Sequence, residues 1–262
     1  MSENEQPAEE PQGVAEEWEY AAPPTAYDLV RDNIVMRLLR LIVHAPFRIA
    51  MLCYHRISSA GTENVLDNAP CVITPNHTSN LDNVAIFASL PWRCVNTVCS
   101  VAGKDYFFNN AVLAIVARLV ANGIPLDHKG ANKRGLRMCA RKLRAGGSII
   151  IFPEGMRTKT GEVGRFKAGA VALCRGLKVP VVPTYLKGTF ESLSRFNWFP
   201  RGRKITVTYG EPIRFWEGEL AELDHREAAK YLEDRVRELK ERIDAEAAGR
   251  CERPGDEAGA HG

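Results

Sequence analysis

Apolar and polar positions alternate along this chain in patterns that change sharply from one region to the next. From Ile34 to Tyr54 (IVMRLLRLIVHAPFRIAMLCY) apolar residues dominate, interrupted by Arg37, Arg40, His44 and Arg48. On a helix these four fall at steps of three, four and four, so they share one narrow face, while Leu38, Leu39, Leu41, Ile42, Val43 and Phe47 cover the rest. A broad apolar face with a basic stripe suits a helix lying in the interface of an anionic membrane. A helix packed on the domain's own core with its arginines in water is the other reading the pattern allows. The arginines keep the stretch short of the roughly 18 uncharged residues a spanning helix needs. Pro46 predicts a kink or a split.

Beyond Tyr54, short apolar and β-branched runs alternate with longer stretches of helical period. The runs predict strands at Cys71 to Thr74, Val95 to Val101, Gly123 to Leu126, Ser148 to Phe152, Val179 to Leu186 and Lys204 to Tyr209. Helices are predicted at Asp82 to Ser89, Ala111 to Ala121, Lys133 to Arg144, Ala168 to Gly176 and Asp224 to Ala248. Such alternation predicts an α/β fold, a mixed sheet covered by helices, preceded by the amphipathic membrane-interface segment. In the last helix Leu232, Val236, Leu239 and Ile243 recur at helical spacing and read as packing. The ends of the chain are rich in Glu, Pro, Ala and Gly. The resulting division is a disordered acidic tail over 1–27, the interface segment over 28–58, one folded domain over 59–248 and a second tail over 249–262.

Charge sharpens this division. Residues 1–28 hold eight acids and no base, so the remainder carries +11 although the whole chain carries only +3. A body this basic suits an anionic partner: lipid headgroups, a phosphate-bearing substrate or an acidic carrier protein. No nucleic-acid motif accompanies the charge. The helix predicted at Lys133 to Arg144 has six bases and no acid; it docks such a partner or is simply a solvated face. Seven scattered cysteines, odd in number and without a C-x-x-C pair, fit reduced thiols in a cytosolic compartment.

Two strand exits carry candidate chemistry. In ITPNHTSNLDN (73–83) an apolar run passes through Pro75 into a polar turn, which puts His77 where α/β folds present reactive groups. A carboxylate on one ring nitrogen would leave the other as a proton acceptor, and Asp82 is the nearest candidate. Ser79 and Asp82 also make a helix-capping pair, an alternative that needs no chemistry. In SIIIFPEGMRT (148–158) Glu154 and Arg157 follow the strand. Gly155 allows close backbone approach to a ligand, and Arg157 offers a planar fork suited to phosphate. A surface turn with a Glu and Arg pair is the plainer reading.

These residues together resemble a known family. N-H-T-S-N-L-D at 76–82 and F-P-E-G-M-R at 152–157 are similar to the two principal blocks of the glycerolipid acyltransferases, typified by 1-acyl-glycerol-3-phosphate acyltransferase. Further blocks match in order: Gly103-Lys104-Asp105 with Tyr106 and Phe107, Ile124-Pro125-Leu126-Asp127, Phe166-Lys167-Ala168-Gly169 and Val179-Pro180-Val181-Val182-Pro183. The resemblance covers roughly residues 65–215 and makes 59–248 an acyltransferase domain. It implies that His77 is the base and Asp82 its orienting partner, and that Glu154, Gly155 and Arg157 help hold the acceptor. Lys104 matches a lysine that reaches the acceptor phosphate. Two positions depart from the pattern: Met156 stands where Thr is usual, and His128 where Arg is usual. A His that is largely neutral at pH 7 binds phosphate less firmly than Arg, which leaves a different lyso-lipid acceptor open.

The implied activity is transfer of a fatty acyl group from acyl-CoA or acyl carrier protein to a lysophospholipid hydroxyl in phospholipid biosynthesis, with 1-acyl-glycerol-3-phosphate as the leading acceptor. A thiol leaves readily, so no metal or bound cofactor is called for. Donors for the oxyanion are expected from the turn after Phe152 or the helix start after His77. The expected location is peripheral or monotopic on the cytoplasmic face of a membrane. Transfer to another lyso-lipid, an acyl thioesterase using the same His77 and Asp82, and a non-enzymatic lipid-binding protein are the alternatives.

Overall fold

The computed structural model describes residues 34–103, 111–126, 133–194 and 199–251. Lys104, Asp105, Tyr106, Phe107, Asp127 and His128, together with 1–33 and 252–262, lie outside the described residues. In chain order the elements are α1 (Ile34–Cys53), β1 (Ser58–Ala60), α2 (Thr62–Leu66), β2 (Val72–Pro75), α3 (Leu81–Ser89), α4 (Cys94–Thr97), β3 (Val98–Gly103) and α5 (Ala111–Ala121). They continue with β4 (Ile124–Leu126), α6 (Lys133–Arg144), β5 (Ser148–Ile150), α7 (Gly169–Leu177), β6 (Val181–Lys187), α8 (Thr189–Ser192), β7 (Thr206–Tyr209) and α9 (His225–Cys251).

The sheet has the order β1-β7-β6-β2-β5-β3-β4. Neighbours run parallel except β6 and β7, which are antiparallel, so the sheet is mixed, as the alternating pattern predicts. Both faces are covered. Ile73, Ile150 and Val182 pack into one layer with Met51, Ile86 and Phe87. Their strand neighbours Val72, Ile149 and Val181 point the other way, onto Leu143, Val171, Leu232 and Val236. Burial on both sides is why these strands read as continuous apolar runs rather than as alternating ones.

Several boundaries differ from the sequence reading. Val95 to Thr97, predicted as strand, belongs to the helical turn α4, and the strand starts at Val98. β5 ends at Ile150 rather than Phe152, although the Ile151 amide still bonds the Ile73 carbonyl at 3.0 Å. The last helix runs to Cys251, three residues past the predicted end at Ala248. β1, α2 and α8 carry too few apolar residues to be seen in the pattern.

The greatest departure is α1. It is one continuous helix with Pro46 inside it, not two halves, and three of its four stripe residues, Arg40, His44 and Arg48, face the protein. Arg40 is fully buried, donating from Nε to the Arg118 carbonyl at 3.0 Å, and His44 packs edge-on against Phe87. Arg48 donates to the Leu90 carbonyl at 2.7 Å and lies over the Trp92 ring. Ile34, Val35, Leu38, Ile42, Ile49 and Leu52 are more than half exposed instead. The expectation that Arg40 and Arg48 meet either the membrane or water is therefore overturned; of the three arginines, only Arg37 is exposed. The Arg40 and Arg48 guanidiniums donate to carbonyls at the ends of α5 and α3, where helix carbonyls lack partners of their own.

Candidate active site

The parallel pairing of β2 with β5, Val72 opposite Ile149, makes the turns that follow these two strands emerge side by side at one end of the sheet. This brings together two motifs separated by some 70 residues. After Pro75 the chain leaves the ladder, and the buried Asn76 replaces the lost pairing. Its side chain donates to the Leu186 carbonyl at 3.1 Å and accepts the Leu186 amide at 2.8 Å, stapling the end of β2 to β6. Nothing in the apolar pattern marks Asn76, and only its place beside His77 hints at it.

His77 and Asp82 meet as the sequence predicts. Nδ1 of His77 lies 2.9 Å from Oδ2 of Asp82. The same oxygen accepts the Thr78 amide at 2.7 Å and the Ser79 amide at 2.9 Å. Reaching back from the first turn of α3, Asp82 thus acts as cap and orienting carboxylate together, so the two readings of Ser79 and Asp82 are not exclusive. An oxygen already accepting two amides is an acceptor for the ring as well, which puts the proton on Nδ1 and leaves Nε2 with a free lone pair. The Asp82 side chain is wholly buried, while that of His77 keeps 21% of its surface exposed. The Thr78 and Ser79 amides are occupied by Asp82 and the Leu81 amide by Oγ of Ser79, so these three are not free as oxyanion donors.

The second motif fixes His77 from the other side. The Phe152 ring stacks on the imidazole at 4.0 Å between centroids. The Thr158 amide donates to the His77 carbonyl at 2.8 Å, and the His77 amide donates to Oε1 of Glu154 at 2.9 Å. Glu154 is 7% exposed, and burial, resisted by hydrogen bonds from the His77 and Gly164 amides, pushes its carboxyl up to about 7. Gly155 has φ of 75°, in the left-handed region that favours glycine, and a Cβ there would fall 2.6 Å from Nζ of Lys167. Lys167 therefore extends its ammonium over this turn, with its own amide bonded to the Pro153 carbonyl at 2.9 Å. Arg157 is partly exposed between Met156 and Thr158, and Met156 is 68% exposed. Sequence reading missed Thr158 and Lys167; the placement of Lys167 in F-K-A-G was the available signal for the latter. A cavity of about 850 Å³, lined in part by Ala60, Tyr209, Arg214 and Tyr231, lies toward the opposite end of β6 and contains none of the predicted site residues.

A protein-family model described as acyltransferase matches residues 56–187, which contain both motifs and their dyad. The chain belongs to the acyltransferase family. Within it, a chloroplastic 1-acyl-sn-glycerol-3-phosphate acyltransferase of Brassica napus is 28% identical over 62% of this chain and 44% of its own. The human 1-acyl-sn-glycerol-3-phosphate acyltransferase beta is 30% identical over 48% of this chain and 43% of its own. The Bacillus subtilis 1-acyl-sn-glycerol-3-phosphate acyltransferase is 25% identical over 70% of this chain and 87% of its own. The first curated relatives are thus longer proteins, of which this chain spans less than half. The crystal structure of the 1-acyl-sn-glycerophosphate acyltransferase of Thermotoga maritima has the same fold, with a TM-score of 0.64 at 24% identity over 84% of this chain and 86% of that one. This likeness to an acyltransferase-family fold agrees with the mixed sheet and its helical covers.

Proposed function

We propose that this protein transfers a fatty acyl group from acyl-CoA or acyl carrier protein to the free hydroxyl of a lysophospholipid, with 1-acyl-glycerol-3-phosphate as the first choice of acceptor. The observation that carries the reading is the accessible His77 ring held through Nδ1 by buried Asp82. A glycerol hydroxyl is a poor nucleophile at neutral pH. In the proposed step Nε2 removes its proton as the oxygen attacks the thioester carbonyl carbon. The tetrahedral oxyanion then collapses, the C–S bond breaks, and the imidazolium returns the proton to the departing sulfur, giving an ester and a thiol. Such a base contributes about 10² to 10⁴-fold, and the buried carboxylate stabilises the imidazolium as it forms. In this reading Arg157, and Lys167 beside Gly155, receive the anionic headgroup.

The setting we infer is a membrane surface. No helix among the described residues is long and apolar enough to cross a membrane. The outward face of α1, however, exposes Ile34, Leu38, Ile42 and Ile49, and Ile115 and Val116 of the adjoining α5 are exposed too. Burying one such side chain yields about 1.5–3 kcal/mol, so a handful suffices for interfacial docking. Among the described residues, the cysteines Cys53, Cys71, Cys94, Cys139 and Cys174 form no disulfide, which supports the cytoplasmic face.

The test is purified protein offered acyl-CoA and a panel of lyso-lipids. Esterification of 1-acyl-glycerol-3-phosphate, lost in His77→Ala with folding retained, is the expected result. Preference for another headgroup moves the acceptor but keeps the chemistry. Free fatty acid released without any acceptor makes the protein a thioesterase and overturns the proposal.

A further inference from the structure

Both peptide groups of His77 are held by the second motif, a relationship no reading of either motif alone reveals. On one side the amide donates to Oε1 of Glu154 at 2.9 Å; on the other the carbonyl accepts the Thr158 amide at 2.8 Å. Asp82 sets the direction of the ring through Nδ1. It does not by itself set where the Cα of His77 sits. Glu154 and Thr158 do so, from the loop that follows β5.

A residue that grips an acceptor must present its polar atoms to the cleft. Glu154 does not fit that requirement: it is 7% exposed, and its carboxylate is taken up by backbone amides of His77 and Gly164. The fit is close on the Gly164 side, where a Cβ would lie 2.6 Å from Oε2. Gly164 is thus the position whose missing side chain makes room for the carboxylate. Its loop is itself held by α9, because Arg237 donates to the Val163 carbonyl at 2.6 Å and Glu233 accepts the Phe166 amide at 3.1 Å. A chain of contacts therefore runs from α9 through Gly164 and Glu154 to the peptide of His77.

The geometry points to Glu154 as a positioning residue, whose buried carboxylate anchors the backbone of His77 against the acceptor hydroxyl rather than binding the acceptor. This rests on the acyl transfer proposed above, where the nucleophilic oxygen, Nε2 and the thioester carbon must align; a misplacement of about 1 Å in such an arrangement costs on the order of 10²-fold in rate. Position 154 needs acceptor oxygens for two backbone amides, those of His77 and Gly164.

Three variants of the full chain test this: Glu154→Ala, Glu154→Gln and Gly164→Ala. Glu154→Ala is expected to lower kcat about 100-fold with KM for the lyso-lipid within about threefold. Glu154→Gln keeps an acceptor oxygen for the His77 amide but sets an NH2 donor against the Gly164 amide, so it should recover kcat in part, to within about tenfold of the parent. Gly164→Ala displaces the carboxylate without removing it and should behave like Glu154→Ala, which covers the case in which Glu154→Ala does not fold. A second readout is independent of turnover: the ¹H–¹⁵N imidazole signal of His77 Nδ1–H, assigned by its loss in His77→Ala. It should persist in Glu154→Gln and shift or broaden in Glu154→Ala and Gly164→Ala. A rise of tenfold or more in KM with kcat unchanged would return Glu154 to acceptor binding and overturn the proposal, as would an unmoved His77 signal in both disruptive variants. If the parent protein shows no acyl transfer, the spectral test still decides the positioning role separately from the reaction.

Discussion

Arg48 donates to the carbonyl of Leu90 at 2.7 Å, so a cation of α1 points inward, to the end of the helix that begins beside Asp82. The apolar face of α1 is left outside. This inversion separates two properties that the basic stripe seemed to combine, membrane attraction and helix placement, and each has its own experiment.

Membrane binding should depend on the outward apolar side chains. Replacing Ile42 and Ile49, which are 67% and 60% exposed, by Glu removes two apolar anchors and adds two charges beside the headgroups. We expect flotation with anionic vesicles to fall at least 100-fold in apparent affinity, with the melting temperature nearly unchanged, since neither residue packs in the core. Equal flotation of the double variant and the parent would exclude docking through α1.

The inward arginines should matter to stability instead. Arg48→Gln removes a charge-assisted hydrogen bond to the Leu90 carbonyl and the contact over Trp92, at a cost of about 1–3 kcal/mol. Thermal denaturation should reveal this loss, while flotation of the folded protein stays within about threefold. Loss of flotation with an unchanged melting temperature would mean that Arg48 faces lipid after all.

The apolar pattern made most of the sheet and its covering helices legible, because strands such as Val181–Lys187 are buried on both faces and leave long apolar runs. It failed where the physics is not periodic. Val95 to Thr97 is apolar and β-branched enough to read as strand, yet it turns helically before entering the sheet at Val98. The direction of α1 was hidden because a basic stripe can satisfy carbonyls as well as water or phosphate, and only the neighbouring helix ends decide between them. At the site, His77 and Asp82 were visible through their spacing and resemblance. The clamp from Glu154 and Thr158 was not, since it is built from backbone atoms that every residue possesses.

The carboxylate of Asp82 has two tasks, and an Asn can perform only one of them. In Asp82→Asn an amide oxygen can still cap the start of α3, but the charge that stabilises an imidazolium on His77 is gone. A fall in kcat of about 10² to 10⁴-fold is expected, with a loss of stability of no more than about 1–2 kcal/mol. Turnover within threefold of the parent would show that His77 does not act as the base.

Lys167 and Arg157 should set headgroup preference. Neutralising either one, as Lys167→Gln or Arg157→Gln, removes a charge-assisted partner worth about 1.5–3 kcal/mol. KM for 1-acyl-glycerol-3-phosphate should rise by about 10 to 100-fold, with kcat little changed and a zwitterionic lyso-lipid barely affected. A matching loss on both acceptors would place these cations in the chemistry or the fold rather than on the phosphate. The position of Lys167 over Gly155 is the reason to test it beside Arg157.

Glu154 predicts a pH dependence of stability with a definite sign. Burial raises its carboxyl from the ordinary 4.5 to about 7, with Asp82 nearby raising it further and hydrogen bonds from the His77 and Gly164 amides, along with any charge on His77, working the other way. The folded protein therefore binds this proton more tightly than the unfolded chain. The stabilising contribution is fully present below about 4.5 and is lost as pH climbs through about 7. Glu154→Gln has no proton to lose and escapes this effect. At about 1.4 kcal/mol per pKa unit, its stability relative to the parent should improve by roughly 2–3 kcal/mol between pH 5 and pH 8, then level off. Paired thermal or denaturant unfolding of the two proteins across this range measures the difference directly, whatever other groups titrate in common. A difference that stays flat with pH would show that Glu154 is already ionised at pH 5, and a difference that shrinks would show that the ionised form is the one the fold prefers.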